Sequence, residues 1–336
     1  MPDAAKRVLL TGATGFIGRH LAAALAHQGW RVRGAARTAG PHQVPGVEEW
    51  VVTGPVGSET DWDPALQEVT AVVHLAALAH RTDPTNQPAE ADYMEVNARG
   101  TRRLAEAVAR LGAVQRFVLV SSIGAVADVC NTPMDETSLA SPVTPYGRSK
   151  LAAEQAVREL FRPTGIEWCV LRPVLVYGPG NPGNMARLLR LVRTGLPLPF
   201  GGMDNRRNFL FVGNLVGAIE RVLTVPGLSG RTFHVADDDA VSTADLIRLL
   251  AQAADRPVRL YTVPDWSLRL AAGCGDFAER LGLRTGLNSY SLRKLEESLV
   301  VSNQALRTAT GWQPASTLLD GLRRTLGPTP EEKAIS

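Results

Sequence analysis

The 336-residue sequence predicts an α/β protein, a doubly wound parallel sheet followed by a smaller C-terminal α/β lobe. Three observations carry this. Short apolar or β-branched runs alternate with segments of helical period through residues 1–177, the pattern of repeated βαβ units covered on both faces. Three glycines, Gly12, Gly15 and Gly18, stand where the first strand turns into the first helix, in the stretch TGATGFIG at 11–18. From Gly178 onward the texture changes, with Pro179, Pro182, Pro197, Pro199 and several glycines breaking the chain into short elements.

The elements follow in order. Val8-Leu9-Leu10 reads as the first strand and residues 19–28 as the first helix; WRVRGAA at 30–36 reads as a second strand. AVVHLAA at 71–77 is a further strand, YMEVNARGTRRLAEAVARLG at 93–112 a helix, and QRFVLVSS at 115–122 a strand. A helical segment from Tyr146 to about Phe161 leads into a buried-strand candidate, IEWCVLRP at 166–173. Residues 1–177 are therefore read as a dinucleotide-binding domain and 178–328 as mainly a substrate-binding lobe from which the chain could return to the sheet. Residues 329–336 are read as a frayed tail. No internal repeat or low-complexity tract is visible.

With 45% hydrophobic residues the chain can bury one large core or two smaller ones. The N-terminal MPDAAKR shows no secretory signal, and no apolar run reaches membrane-spanning length, so a cytoplasmic, membrane-free protein is expected. Cys130, Cys169 and Cys274 are widely spaced without a CxxC pair, which argues against a disulfide framework or a metal site and for free thiols. A formal charge of +3 is too small for a nucleic-acid binder, while the many arginines suit an anionic small molecule.

In a strand-turn-helix context, such glycines make a tight turn and admit a pyrophosphate to the backbone, while the helix N-terminus supplies free N–H groups and a positive dipole end. Gly12, Thr14, Gly15, Phe16, Ile17 and Gly18 are thus the cofactor-binding candidates of a Rossmann-type fold. The alternative is three glycines in an ordinary βα turn. The spacing GxxGxxG resembles the extended branch of the short-chain dehydrogenase/reductase superfamily. An acidic residue at the end of the second strand usually holds the adenosine ribose, whereas an arginine there can accept a 2′-phosphate. The chain reads Val32-Arg33-Gly34-Ala35-Ala36-Arg37, without an acid. An arginine stands at the place of Arg37 in members resembling NADP-dependent flavonoid reductases, so the expected cofactor is NAD(P), leaning to NADP(H); solvated surface charge is the competing account of these arginines. The Asp that the family carries after the third strand is missing from Thr53-Gly54-Pro55.

YGRSK at 146–150 puts Tyr146 and Lys150 four apart at the start of a helical segment, hence on one face. A tyrosine pKa of roughly 10 is too high for a proton shuttle at neutral pH, and a neighbouring ammonium, that of Lys150, would favour the phenolate. The strand FVLVSS ends at Ser121 and Ser122 on the edge where open α/β sheets bind ligands, and Ser122 aligns with the family's catalytic Ser/Thr. Ser122, Tyr146 and Lys150 are the catalytic candidates.

Further motifs resemble the nucleotide-sugar epimerase/dehydratase group of that branch. HLAA at 74–77 looks like the strand beside the cofactor, contributing Leu75, Ala76 and Ala77. NARGT at 97–101 looks like the NxxGT helix whose Asn, here Asn97, orders the site. LRPVLVYGPGN at 171–181 resembles the segment passing the nicotinamide at Pro173. NRRNFLFVGNL at 205–215 is similar to a segment whose arginine, here Arg207, grips the diphosphate of a nucleotide sugar. SNQALRTATGWQP at 302–314 matches the family's C-terminal signature. Asn184 and Arg187 could line a phosphate or merely cap and decorate a helix, and Arg293 could reach the second phosphate. His74 reads as a packed residue rather than a base, and Trp168 and Trp312 read as core.

The resemblance implies an enzyme moving a hydride at C4 of a nucleotide-linked sugar, with Tyr146 taking the hydroxyl proton. A 4-epimerase is the first reading and an NADPH-dependent 4-keto-sugar-nucleotide reductase the alternative; bacterial polysaccharide-pathway members of both kinds resemble residues 197–208. A dehydratase is disfavoured because Ile123-Gly124 follows Ser122 where those members carry an acidic pair. A flavonoid- or steroid-type carbonyl reductase and a non-catalytic NADP-binding regulator are further alternatives. The chain could pair as a homodimer.

Overall fold

The computed structural model describes residues 6–40, 42–79, 88–130, 132–181, 184–280 and 288–327. The chain opens with β1 (Arg7–Thr11), α1 (Phe16–His27), β2 (Arg31–Ala36), β3 (Val47–Val52), α2 (Asp63–Leu66) and β4 (Ala71–His74). Then come α3 (Glu90–Tyr93), a π-helical turn (Met94–Arg99), α4 (Gly100–Leu111), β5 (Arg116–Val120), a 3₁₀ turn (Ile123–Ala125), α5 (Pro145–Phe161) and β6 (Glu167–Pro173). The remainder is β7 (Leu175–Tyr177), α6 (Asn184–Arg193), β8 (Arg207–Phe211), α7 (Val212–Thr224), β9 (Arg231–Val235), β10 (Ala240–Val241), α8 (Thr243–Ala253), α9 (Asp265–Arg280), α10 (Ser289–Glu296), α11 (Gln304–Thr310) and α12 (Leu318–Leu326).

Seven strands form one sheet in the order β3-β2-β1-β4-β5-β6-β9, and every neighbouring pair is parallel. The order reverses between β1 and β4, which opens a crevice at their C-terminal ends, the place where doubly wound sheets take ligands. Helices cover both faces, so β4 is buried throughout and β5 and β6 nearly so. On one face Val8, Leu10, Val118 and Leu171 pack against Leu21 and Leu25 of α1 and Leu215 and Ile219 of α7. On the other, Leu9, Val72, Phe117 and Val170 pack against Leu104 and Val108 of α4 and Val157 and Phe161 of α5. Trp168 and Trp312 are both buried.

From β7 onward the chain does two things. It contributes α7 and β9 to the main sheet's layers, and it builds a three-stranded sheet, β10-β8-β7, over a separate core of Tyr177, Phe209, Phe211, Ile247, Leu250 and Leu322. The sequence does not announce β3. VEEWVV lies at the sheet edge with half its residues exposed, so it shows no continuous apolar run. The segment expected as one helix at 93–112 begins in α3 and passes through the π turn before α4. No helix among the described residues is long and apolar enough to cross a membrane.

Gly18 shows how closely α1 meets β1. A Cβ there would lie 2.2 Å from Gly12 O and 2.7 Å from Ala13 Cα, both backbone atoms that cannot move without shifting the turn. Gly18→Ala should therefore cost about 1–3 kcal/mol of stability through overpacking. Urea unfolding would show a lower midpoint with an unchanged slope; an unchanged midpoint would mean that α1 slides freely on the sheet.

Candidate active site

The site is assembled at the C-terminal edge of β1, β4 and β5. Gly12 has φ of 71°, and a Cβ on it would stand 2.9 Å from Ala76 N, so the turn after β1 rests directly on the backbone after β4. Gly15 precedes α1 without a side chain to cap it, and the first turn of the helix holds no acidic residue. That arrangement suits a pyrophosphate, which the N–H groups and dipole of α1 would bind. Thr14 and Gly15 are exposed at this turn, Phe16 and Ile17 are half-buried, and Gly18 is buried behind them. Pro173 closes β6 opposite Val235 and is buried.

Arg33, within β2, and Arg37, just beyond it, part company. Arg33 is buried: Nε lies 2.9 Å from Glu49 Oε2, and Nη1 donates to the carbonyls of Ala65 and Gln67 at 3.1 and 2.6 Å. It is occupied with structure and is not available to a phosphate. Arg37 follows the end of β2 and is exposed.

One chain of hydrogen bonds ties this edge together. The Thr101 hydroxyl donates to Asn97 O at 2.6 Å, which makes His74 Nε2, at 3.0 Å, the donor to Thr101 Oγ1. His74 Nδ1 is then the acceptor from the Thr11 hydroxyl at 2.7 Å, and Thr11 Oγ1 in turn accepts from Leu75 N and Ala76 N, both at 3.1 Å. The histidine is neutral: burial and the charge of Lys150 push its pKa down to about 3. Asn97, carried by the π turn, clamps Leu78 from both sides, accepting from its N at 2.7 Å and donating to its O at 3.1 Å. Asn97 Nδ2 also donates to Ser149 Oγ at 3.0 Å, and Ser149 Oγ donates to Tyr146 O at 2.7 Å. Leu75, Ala76 and Ala77, half-buried, are thereby held against α5.

Helix α5 starts where its sequence dictates. Thr144 accepts from Gly147 N and Pro145 occupies the first turn, which places Tyr146 at the helix start and Lys150 one turn on. Tyr146 lies beside Ser122; burial pushes the phenol up to about 12, and the Ser122 hydroxyl pulls the other way. Lys150 donates from Nζ to Val120 O at 2.9 Å, and burial lowers its ammonium to about 8 while Glu154 raises it. The group seen to oppose the high phenol pKa is thus Ser122 rather than Lys150, because Lys150 is turned to the end of β5. Glu154, one further turn along α5, is 1% exposed and receives Arg172 bidentately at 2.6 to 3.2 Å, and Ser121 Oγ at 2.5 Å. Sequence reasoning missed Glu154, although it continues the spacing of Tyr146 and Lys150 on the same helical face.

The mouth of the site comes from distant segments. Residues 298–302 run between the loop after Ser122 and β8: Cys130 N donates to Ser298 O at 2.9 Å, Met134 N to Val300 O at 2.9 Å, and Asn208 N to Leu299 O at 3.1 Å. This brings Asp128 and Arg207 into one electrostatic neighbourhood with Glu297. Arg207 Nη1 donates to Lys294 O at 3.4 Å, Nη2 lies 4.0 Å from Glu297 Oε2, and Lys294 Nζ lies 3.0 Å from the same Oε2. Lys294 also stands 5.9 Å from the Tyr290 ring centroid, and Tyr93 meets Tyr146 edge to face at 6.0 Å. Of the substrate candidates, Ser122 and Arg207 face this region. Arg293 is exposed on α10, and Lys294, not Arg293, is the cation beside Arg207 and Glu297. The side chains of Asn184 and Arg187 lie outside the described atoms. No spacing in the sequence signals Asp128, Tyr290, Lys294 or Glu297.

The model of the NAD dependent epimerase/dehydratase family matches residues 8–236. The UDP-glucose 4-epimerase of Vibrio cholerae is 35% identical over 327 residues, spanning 95% of this chain and 94% of that protein. The GDP-6-deoxy-D-mannose reductase of Pseudomonas aeruginosa is 29% identical over 335 residues, 96% of each chain. Among solved structures, MoeE5 in complex with UDP-glucuronic acid and NAD superposes with a TM-score of 0.72 at 26% identity, covering 95% of this chain and 97% of that one.

Two buried histidines give a pH dependence. Burial lowers His74 to about 3 and His234 to about 4, while an unfolded histidine binds its proton near 6.5. Between those values the unfolded chain binds more protons, so stability rises with pH and is lost on acidification. Urea unfolding should show about 2 kcal/mol less stability per histidine at pH 5 than at pH 7. His74→Gln should remove about half of that loss, and a variant with the wild-type pH slope would show that His74 does not resist protonation.

Proposed function

The chain belongs to the NAD dependent epimerase/dehydratase family, and on that footing we propose that it is an NAD(P)-dependent nucleotide-sugar 4-epimerase. The observation that carries the proposal is the adjacency of Ser122 and Tyr146 around Gly124, at the same sheet edge as the Gly12 to Gly18 turn. The similarity to an epimerase along nearly the whole chain supports the choice of reaction.

When bound in that turn, the dinucleotide supplies a centre that accepts a hydride from sugar C4 and returns it. Tyr146 takes the proton of the 4-hydroxyl, and Ser122 donates a hydrogen bond to the same oxygen as it becomes a carbonyl. Lys150, on the same face of α5, would hold the cofactor ribose, and its charge would add to the effect of Ser122 against the burial that raises the phenol. Tyr146 gives the proton back to that oxygen, so that inversion at C4 would leave no net oxidation. Asn97 and the His74 chain hold the backbone at 75–78 beside the cofactor. Arg207 binds the diphosphate. The second reading, a reductase that draws hydride from NADPH onto a 4-keto sugar nucleotide, is favoured by exposed Arg37, the missing ribose acid and the reductase relative.

Tyr146→Phe should lower kcat by at least about a hundredfold while leaving cofactor affinity nearly unchanged; a wild-type rate would remove Tyr146 from its role. Incubating the protein with UDP-hexoses and catalytic NAD(P) should invert C4 without net change in nicotinamide absorbance. Stoichiometric NADPH loss seen only with a 4-keto-6-deoxy sugar nucleotide would replace the epimerase by the reductase.

Arg37 would choose the cofactor through a charge-assisted contact to a 2′-phosphate. Arg37→Ala should raise the Kd for NADP about tenfold or more and spare NAD. Equal changes for both would make Arg37 surface charge only.

A further inference from the structure

Helix α9 is apolar on two opposite faces. Leu268 and Ala272 turn inward and are buried with Leu292 of α10 in the core of the small lobe. Trp266, Leu270, Cys274 and Phe277 recur at intervals of three and four residues, which sets them in one row along the other face. Trp266, Leu270 and Phe277 are 67%, 62% and 64% exposed, and Cys274 is exposed between them, so this second row has no packing partner among the described residues. The adjoining segments add two more exposed apolar side chains: Leu198 N donates to Arg259 O at 2.9 Å and Tyr261 N to Leu198 O at 3.1 Å, which brings the segment of Leu196 against that of Tyr261. The exposed charge here is mainly basic. Arg190 and Arg193 end α6, Arg256 and Arg259 precede the pairing at Leu260, and Arg269 stands on α9; all five are exposed and none is ion-paired among the described residues. Asp255 and Asp265 are the exposed acids of the same stretches.

We propose that this face of α9 docks on an anionic membrane surface, with Trp266, Leu270 and Phe277 entering the headgroup boundary and the arginines meeting lipid phosphates. At 16 residues α9 is roughly 24 Å long, and Asp265, Arg269, Asp276 and Glu279 interrupt it, so it lies on the surface rather than crossing it. The lack of a spanning segment, on which the expectation of a membrane-free chain rests, does not bear on a helix that lies flat. Tryptophan suits such a boundary, since its ring is apolar while its N–H stays in the wet layer. A second copy of the chain fits the face less well. In a two-fold contact the same patch meets itself, so the five arginines would oppose five others, and like charges across an interface are costly. Lipid phosphates supply the complementary sign. Helix α10, which carries Tyr290 and Lys294 of the mouth, packs on α9, so docking places the candidate site one helix from the lipid.

The test is co-sedimentation of the full chain with vesicles of phosphatidylcholine alone and of phosphatidylcholine containing about 30% phosphatidylglycerol. The wild type should partition onto the anionic vesicles at least about tenfold more strongly than onto the neutral ones, and raising the salt from about 0.1 to about 0.5 M should weaken that binding. Trp266→Ser, Leu270→Ser and Phe277→Ser together should cut partitioning at least about tenfold and leave the urea midpoint near that of the wild type, since these side chains already face water. Arg256→Ser, Arg259→Ser and Arg269→Ser together should remove the preference for the anionic lipid. Wild-type protein that stays in the supernatant with both vesicles, or binds both equally, overturns the proposal without any variant, as does a folded triple serine variant of the apolar row that sediments like the wild type. If light scattering shows a wild-type dimer that this variant breaks into monomers, and no vesicle is bound, the row is an interface between copies and not a membrane face.

Discussion

His74 has to be neutral, and most of the site depends on that. Its two ring nitrogens do opposite jobs, accepting from Thr11 and donating to Thr101. Through Thr11 the ring orients the backbone N–H groups of Leu75 and Ala76; through Thr101 it reaches Asn97, and from there Leu78 and Ser149. A second ring proton would meet the Thr11 hydroxyl head-on and reverse the direction of the chain on that side. The turn that suits a phosphate and the helix that carries Tyr146 are thus set by one directional network, inside a sheet edge where water cannot substitute for a lost partner.

A second constraint lies one turn deeper along α5. Glu154 and Arg172 are both buried, and such a pair tolerates neither partner alone. Its bonds explain why charges can sit here at all. The carboxylate receives the bidentate guanidinium and the Ser121 hydroxyl, and its charge favours the ammonium of Lys150 against the cost of burial. Glu154 thereby joins α5 to β6 and to the end of β5, next to Ser122.

The mouth is governed by topology rather than by local sequence. β8 belongs to the small sheet, the loop after Ser122 leaves β5 of the large one, and residues 298–302 come from beyond α10. Pairing of that last segment with both is what brings Arg207, Asp128 and Glu297 into one neighbourhood. The same chain that leaves the main sheet after β6 returns to it as β9, so the two cores are threaded together rather than strung in series.

What the sequence determined by itself was local. The glycine spacing sets a turn whose φ and close contacts exclude side chains, and the four-residue spacing of Tyr146 and Lys150, with a Thr-Pro start, sets which helix face they share. Buried strands were legible because parallel strands covered on both sides read as unbroken apolar runs; β3 was not, because an edge strand has only one face to bury. Partnerships were decided by tertiary structure. The sequence alone makes Arg33 and Arg37 equivalent charges, and only the fold buries one against Glu49 and leaves the other exposed. It likewise cannot distinguish Lys294 from Arg293, or mark Asp128, since these residues acquire their meaning from groups some 80 to 170 positions away along the chain. Periodicity and turn chemistry act over a few residues, whereas a site is made by whichever distant side chains the packing brings together.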